Sequence, residues 1–155
     1  MDDDEIDYHS LDDVIASMYS TISGAPGEQD WKTGRTLFHP EARLVRTRLD
    51  DDGKPIAFSF TIDEFYANVS ELLKDMSFYE IEIARQTEQF GNIANVFSAY
   101  EAKQHPHDVE LIKRGMNMIH LYDDGTRWWV MHVIWDDERE GLTLPLHLFS
   151  ASGHA

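Results

Sequence analysis

Gly115-Met-Asn-Met-Ile-His-Leu-Tyr-Asp-Asp-Gly-Thr-Arg-Trp-Trp-Val-Met-His-Val-Ile-Trp-Asp-Asp137 holds two runs rich in β-branched, aromatic and methionine residues around Asp123-Asp124-Gly125. Asp-Gly between two such runs reads as a hairpin turn. Three of the four tryptophans, Trp128, Trp129 and Trp135, lie in the second run. Neither run alternates apolar with polar side chains, as a strand with one wet face does. Both faces of this hairpin therefore need cover, one from helices and the other from a second molecule.

Upstream, residues 78–90 and 93–105 read as extended segments joined by Gly91-Asn92, and His105-Pro106-His107-Asp108 turns the chain into the central hairpin from Val109. Strands of about 12 residues are twice the ordinary length. A sheet built of them should twist and curve, with bulges. Gly115, inside a strand, marks a bulge or a point of close approach.

Three helices precede these strands. Ser10 reads as an N-cap with Asp12 and Asp13 in the first turn. Leu11, Val14, Ile15, Met18, Tyr19 and Ile22 follow at helical spacing, so a helix runs to about Ser23 and ends at Gly24-Ala-Pro-Gly27. Asp30 caps a second helix from Trp31 to Phe38, stopped by His39-Pro40. Arg43 to Leu49 and Pro55 to Phe60 read as a strand pair around Asp50-Asp51-Asp52-Gly53. Thr61-Ile-Asp-Glu64 is a capping box opening a third helix, with Ile62, Phe65, Tyr66, Val69, Leu72 and Leu73 on one stripe. The chain reads as a single domain over residues 1–155. Residues 1–9 should fray, 10–137 should form the body, and the tail 138–155 should pack on the sheet or a partner through Leu142 to Phe149. Only 150–155 should be loose.

With 13 basic and 29 acidic residues the formal charge is −16, a field that repels phosphate and disfavours nucleic acid and anionic membrane as partners. The plainer use of such acidity is solubility. The chain has no cysteine, which rules out disulfides and thiolate metal sites and suits a reducing cytoplasm. Met1-Asp-Asp-Asp-Glu5 has no basic or apolar region, so no signal peptide is expected. The apolar runs are too short to span a bilayer. No P-loop, dinucleotide fingerprint, nucleophile elbow or His-Glu-x-x-His motif occurs, and no cofactor is expected.

The order helix, helix, two short strands, helix, four long antiparallel strands resembles the cone-shaped nuclear transport factor 2-like superfamily, which includes SnoaL-like proteins, ketosteroid isomerase and scytalone dehydratase. Leu37-Phe38-His39-Pro40-Glu41-Ala42-Arg43-Leu44 resembles the segment leaving the second helix, and Asp124-Gly125-Thr126-Arg127-Trp128-Trp129-Val130 the turn into the final strand. The resemblance spans roughly Leu11 to Asp137. It implies an α+β fold, a curved, mostly antiparallel sheet of about six strands wrapped on three helices. It also implies a pocket under the helices and, commonly, a homodimer through the outer sheet face. The second implication meets the need of the doubly apolar hairpin. The resemblance does not carry the isomerase's chemistry across. The position of its proton-abstracting carboxylate falls at or beside Arg46, and that of its oxyanion acid near Asn117 or Met118; only its tyrosine has a counterpart, Tyr19.

Several side chains invite a functional reading beside a plainer one. His120 and His132 could move protons in a pocket near neutral pH, or be hydrogen-bonded core or interface histidines. Strict alternation sets Trp129, Met131, Val133 and Trp135 on one strand face, and Trp128, Val130 and His132 on the other. Tyr100 and Glu101 should point to opposite faces, Glu101 to an ion pair. Arg46 and Arg48 share a face and could clamp a carboxylate or phosphate, or simply pair with the acidic surface. His105 and His107, at a hairpin tip with a proline between them, make a poor metal site, and none is expected. Tyr19, Trp31, Phe38, Tyr66, Tyr100, Met118, Met131 and Trp135 could line an apolar pocket, or be core.

The sequence thus leads to a protein that binds a small, largely hydrophobic molecule, with isomerase, lyase or cyclase chemistry using His132 or His120 and a tyrosine hydrogen bond from Tyr66 or Tyr100. The alternative is a dimeric binding or assembly module without catalysis. Nothing in the residues alone decides whether a reaction occurs.

Overall fold

The computed structural model describes residues 5–147 and Phe149. The elements are α1 (Leu11–Ile22), α2 (Trp31–Arg35), β1 (Phe38–Leu49), β2 (Pro55–Thr61), α3 (Ile62–Leu73), β3 (Tyr79–Phe90), β4 (Ile93–Lys103), β5 (Lys113–Asp123) and β6 (Trp128–Asp137). Local signals set the helix starts. The Ser10 hydroxyl accepts from the Asp13 amide, and Thr61 and Glu64 form the full reciprocal capping box.

The six strands form one curved sheet in the order β2-β1-β6-β5-β4-β3. β1 runs parallel to β6, and every other neighbouring pair is antiparallel. α1 and α3 lie against the concave face, where Val14, Ile15, Tyr19 and Tyr66 meet Leu44, Val96, Tyr100, Ile119 and Val133 in one core. This is the α+β cone that the resemblance implied.

Irregularities in three ladders bend the sheet. Ile83 is the extra residue in β3, between the pairs Glu82–Tyr100 and Ala84–Ala99. Met131 is the extra residue in β6, because His120 pairs with His132 while Leu121 pairs with Val130. The second bulge corrects strict alternation. Trp128 and Val130 before it, and Val133 and Trp135 after it, all join the core on the concave side.

Three boundaries depart from expectation. α2 ends at Arg35, not Phe38, because Phe38 already pairs with Val130 in β1. Pro40 then sits where the ladder to β6 is interrupted, the place where its missing N–H costs least. β5 begins at Lys113 rather than Val109, which is exposed in the preceding turn. Residues 6–8, expected to fray, are held. Ile6 and Tyr8 pack on the core, the Trp128 amide donates to the Tyr8 carbonyl at 2.9 Å, and the Arg127 guanidinium lies between the Tyr8 and Trp129 rings. In the tail Phe149 is buried, whereas Leu142 and Leu146 are exposed. The expectation that 150–155 are loose lies outside the described residues, as does that of fraying at 1–4.

Candidate functional site

Between the helices and the concave sheet face lies a cavity of about 360 Å³. Met18 and Ile22 of α1 and Phe65, Tyr66, Val69 and Leu73 of α3 make its helical wall, which is apolar but for one phenol. Leu72 and Ile112, both exposed, border it.

The sheet wall is polar at one end, and strand register explains why. Glu80 pairs with Ala102, and Ala102 with Lys113. One step along, Tyr100 pairs with Gly115, and Gly115 with Asp137. The next row runs Ser98, Asn117, Trp135, Arg46. Successive rows are two residues apart, so their side chains share the concave face. Ala102, Gly115 and Ser98 are small, and the larger polar neighbours converge over them.

Asp137 is the hub. It accepts from the Tyr100 hydroxyl on Oδ1 at 2.5 Å and from Arg46 Nη1 on Oδ2 at 3.0 Å. Lys113 Nζ stands 3.8 Å from Oδ2 and 5.7 Å from the centre of the Tyr100 ring. Gly115 is needed beneath this bond. A Cβ there would sit 2.5 Å from the Asp136 carbonyl oxygen and 2.6 Å from both the Tyr100 hydroxyl and Asp137 Oδ1. Burial and then the Asp137 charge push the Tyr100 phenol up.

Glu80 lines the same end, and its carboxyl has no hydrogen bond or ion pair among the described residues. Burial pushes it up to about 7, against the pull of Lys113 and with help from the Asp137 charge. At neutral pH it exists as both acid and carboxylate. Asn117, also on the cavity wall, donates to the Tyr19 hydroxyl at 2.9 Å, and Tyr19 bonds to Ser98 Oγ at 2.5 Å. Ser98 donates to Glu82, which Arg85 binds through two nitrogens before reaching Asp12 on α1. Burial raises Tyr19 and Tyr66, so both phenols stay neutral.

Of the residues expected at the site, Phe38, Tyr66, Tyr100 and Trp135 line the cavity. Tyr19 touches its wall through Asn117, and Trp31 sits beside Tyr66 with ring centres 5.2 Å apart. Met118, Met131, His120 and His132 are corrections: they lie on the outer sheet face. Met118 and His120 alternate with buried Asn117, Ile119 and Leu121, and the β6 bulge turns Met131 outward beside His120 and Tyr122. The two histidine rings stack there, 5.7 Å apart. Burial, then repulsion from His120, lowers His132. Glu101 faces outward as expected, near Lys103 and Arg114. Arg46 and Arg48 do not act together, since Arg48 lies over the Phe58 ring.

Sequence reasoning missed Glu80, Lys113 and Asp137. In Phe78-Tyr-Glu-Ile-Glu-Ile83 the ordinary reading buries the isoleucines and wets the glutamates; in the fold Glu80, Ile81 and Glu82 are all half-buried, Glu80 on the cavity wall, and Ile83 is exposed. The usable signal was cross-strand register, which sets Glu80 and Lys113 on either side of Ala102.

No family model matches the chain, and no curated protein matches it. Solved structures similar to it include a Mycobacterium tuberculosis protein of unknown function, at 13% identity over 93% of this chain and 87% of that one, with a TM-score of 0.64. A Novosphingobium aromaticivorans protein provisionally described as scytalone dehydratase matches at 10% identity, 83% and 82% coverage and a TM-score of 0.63. A nuclear transport factor 2-like superfamily protein of Salmonella enterica matches at 13% identity, 85% and 91% coverage and a TM-score of 0.61. At these identities the likeness is one of fold: the chain has the nuclear transport factor 2-like fold. No helix of the described residues is long and apolar enough to cross a membrane.

Proposed function

We propose that this protein binds a small, largely hydrophobic molecule between its helices and concave sheet face, and moves a proton on it in an isomerase, lyase or cyclase reaction. One observation carries the reading: a mostly apolar cavity holds Glu80, a carboxyl without a hydrogen-bond or ion-pair partner among the described residues, and burial there pushes it up to about 7. Such a group can take a proton from carbon in one form and give one to a leaving group in the other. Lys113 and the Asn117 amide border the same end and supply donors for developing negative charge. Tyr100 is bonded to Asp137, so it positions that carboxylate rather than the ligand. The roles first given to His120 and His132 pass to Glu80.

Native mass spectrometry of the purified protein, followed by identification of whatever small molecule denaturation releases, gives the substrate candidate. Turnover of that molecule should fall at least ~100-fold in Glu80→Gln, the loss expected for a general acid–base group. Undiminished turnover in that variant removes Glu80 from the chemistry.

A second reading, a dimeric binding or assembly module without catalysis, is favoured by the outer face. Met118 and Tyr122 are exposed there, and a hollow of about 470 Å³ runs beside Phe90, Ile93 and Met131. In either reading the homodimer forms through this face, and the cysteine-free composition suits the cytoplasm.

A further inference from the structure

We propose that the cavity's ligand is a carboxylic acid with an apolar body, bound as its anion, the carboxylate lying between Arg46 and Lys113 and accepting a hydrogen bond from protonated Glu80. This rests on the cavity being a ligand site and adds the ligand's class; with such an acid bound, Glu80 is held in its proton-donating form, and of its two roles it keeps that one. The charged and titratable groups at the polar end are Arg46 from β1, Glu80 from β3, Tyr100 from β4, Lys113 from β5 and Asp137 from β6. α1 and α3 bring no charge to the cavity, only the Tyr66 phenol and, behind Asn117 on the wall, the Tyr19 phenol, both neutral. Behind the wall, Glu82 is neutralised by Arg85.

Two cations therefore face one committed anion. Arg46 gives Nη1 to Asp137, while its Nε and Nη2 have no partner among the described residues, leaving a planar donor pair of the kind that grips carboxylates. Lys113 reaches Asp137 only at 3.8 Å, so its ammonium donors are not committed to a hydrogen bond there. With Glu80 protonated, this end carries one surplus positive charge, and a monoanion balances it. A phosphate dianion would overshoot. Ionised Glu80 is the competitor, since it supplies the same negative charge from within. Ligand carboxylate and Glu80 carboxylate thus exclude each other, and one proton between them lets both stay. The remaining walls are aliphatic and aromatic, so the rest of the acid is apolar, and 360 Å³ accommodates a fused bicyclic ring.

Binding of such an acid takes up a proton once the solution pH exceeds the titration of Glu80. Affinity then falls by up to about tenfold per pH unit. The test is calorimetry of the wild-type chain with 2-naphthoate and its neutral counterpart 2-naphthamide, between about pH 6 and pH 9, where the acid stays ionised. The expected result is about tenfold or greater preference for the acid at the low end, shrinking as pH rises, with proton uptake visible in buffers of different ionisation heat. Glu80→Gln, which holds the neutral form permanently, should bind naphthoate without that pH dependence. Lys113→Met should lose affinity for the acid and not for the amide. Equal affinity for acid and amide at every pH overturns the carboxylate assignment while leaving an apolar ligand site standing. Failure of both probes to bind overturns the ligand-site reading with it.

Discussion

Glu80 pairs across the ladder with Ala102, a residue too small to cover its carboxyl, and burial without a partner makes ionisation costly. Its folded value of about 7 stands above its ordinary 4.5, so the folded chain holds this proton more tightly than the unfolded one. The sign follows from linkage. The contribution of Glu80 to stability is fully present below about pH 4.5, declines as pH rises, and is lost above about pH 7, a change of about 3 kcal/mol. Glu80→Gln should therefore raise the urea midpoint relative to wild type at about pH 8, with the two curves converging near pH 5. A difference of the same size at both pH values would mean that Glu80 titrates like an exposed carboxylate. None of this was legible in the residue itself. A glutamate in Glu80-Ile-Glu82 reads as solvated by composition, and only its neighbours in space change its chemistry.

At the scale of elements, the β4-β5-β6 layer depends on one glycine and one bulge. Gly115 lies under the bond from Tyr100 to Asp137, and the backbone oxygen of Asp136 closes the other side. Gly115→Ala should cost about 2–3 kcal/mol in urea unfolding, the size expected for overpacking a tight site, because the nearest obstacle is backbone and cannot rotate away. The same substitution should separate the Tyr100 phenol from Asp137, visible as an ultraviolet phenol titration moved down toward the ordinary tyrosine range. Helix starts were legible because caps are local chemistry: Ser10 and Thr61 each satisfy an amide three residues on. The close approach at Gly115 was legible as well, because glycine within a strand serves few other purposes. The bulge at Met131 was not. It depends on how β5 and β6 match over the curved sheet, and it decides that His132 faces outward while Trp135 faces the cavity.

For the molecule as a whole, the proposed dimer rests on the outer sheet face. It carries Met116, Met118, Tyr122, Met131 and Ile134 with the stacked His120 and His132, a run of apolar and aromatic side chains on one face of an acidic chain. Sedimentation at about 10 μM should show a dimer, and Met118→Lys should shift it to monomer by placing a charge in the buried centre. Because Met118 points away from the cavity, naphthoate affinity should survive that change. A wild-type monomer at that concentration would leave the outer face without the partner assigned to it. The order of the elements carried the resemblance that implied the cone, while the three helices and the four long strands were themselves legible along the chain. These follow from caps, turns and periodicity, which act over a few residues. Which polar groups meet depends instead on how the strands pack. Arg46, Glu80, Tyr100, Lys113 and Asp137 come from five different strands, and their convergence depends on register, bulges and three small residues that leave room between them.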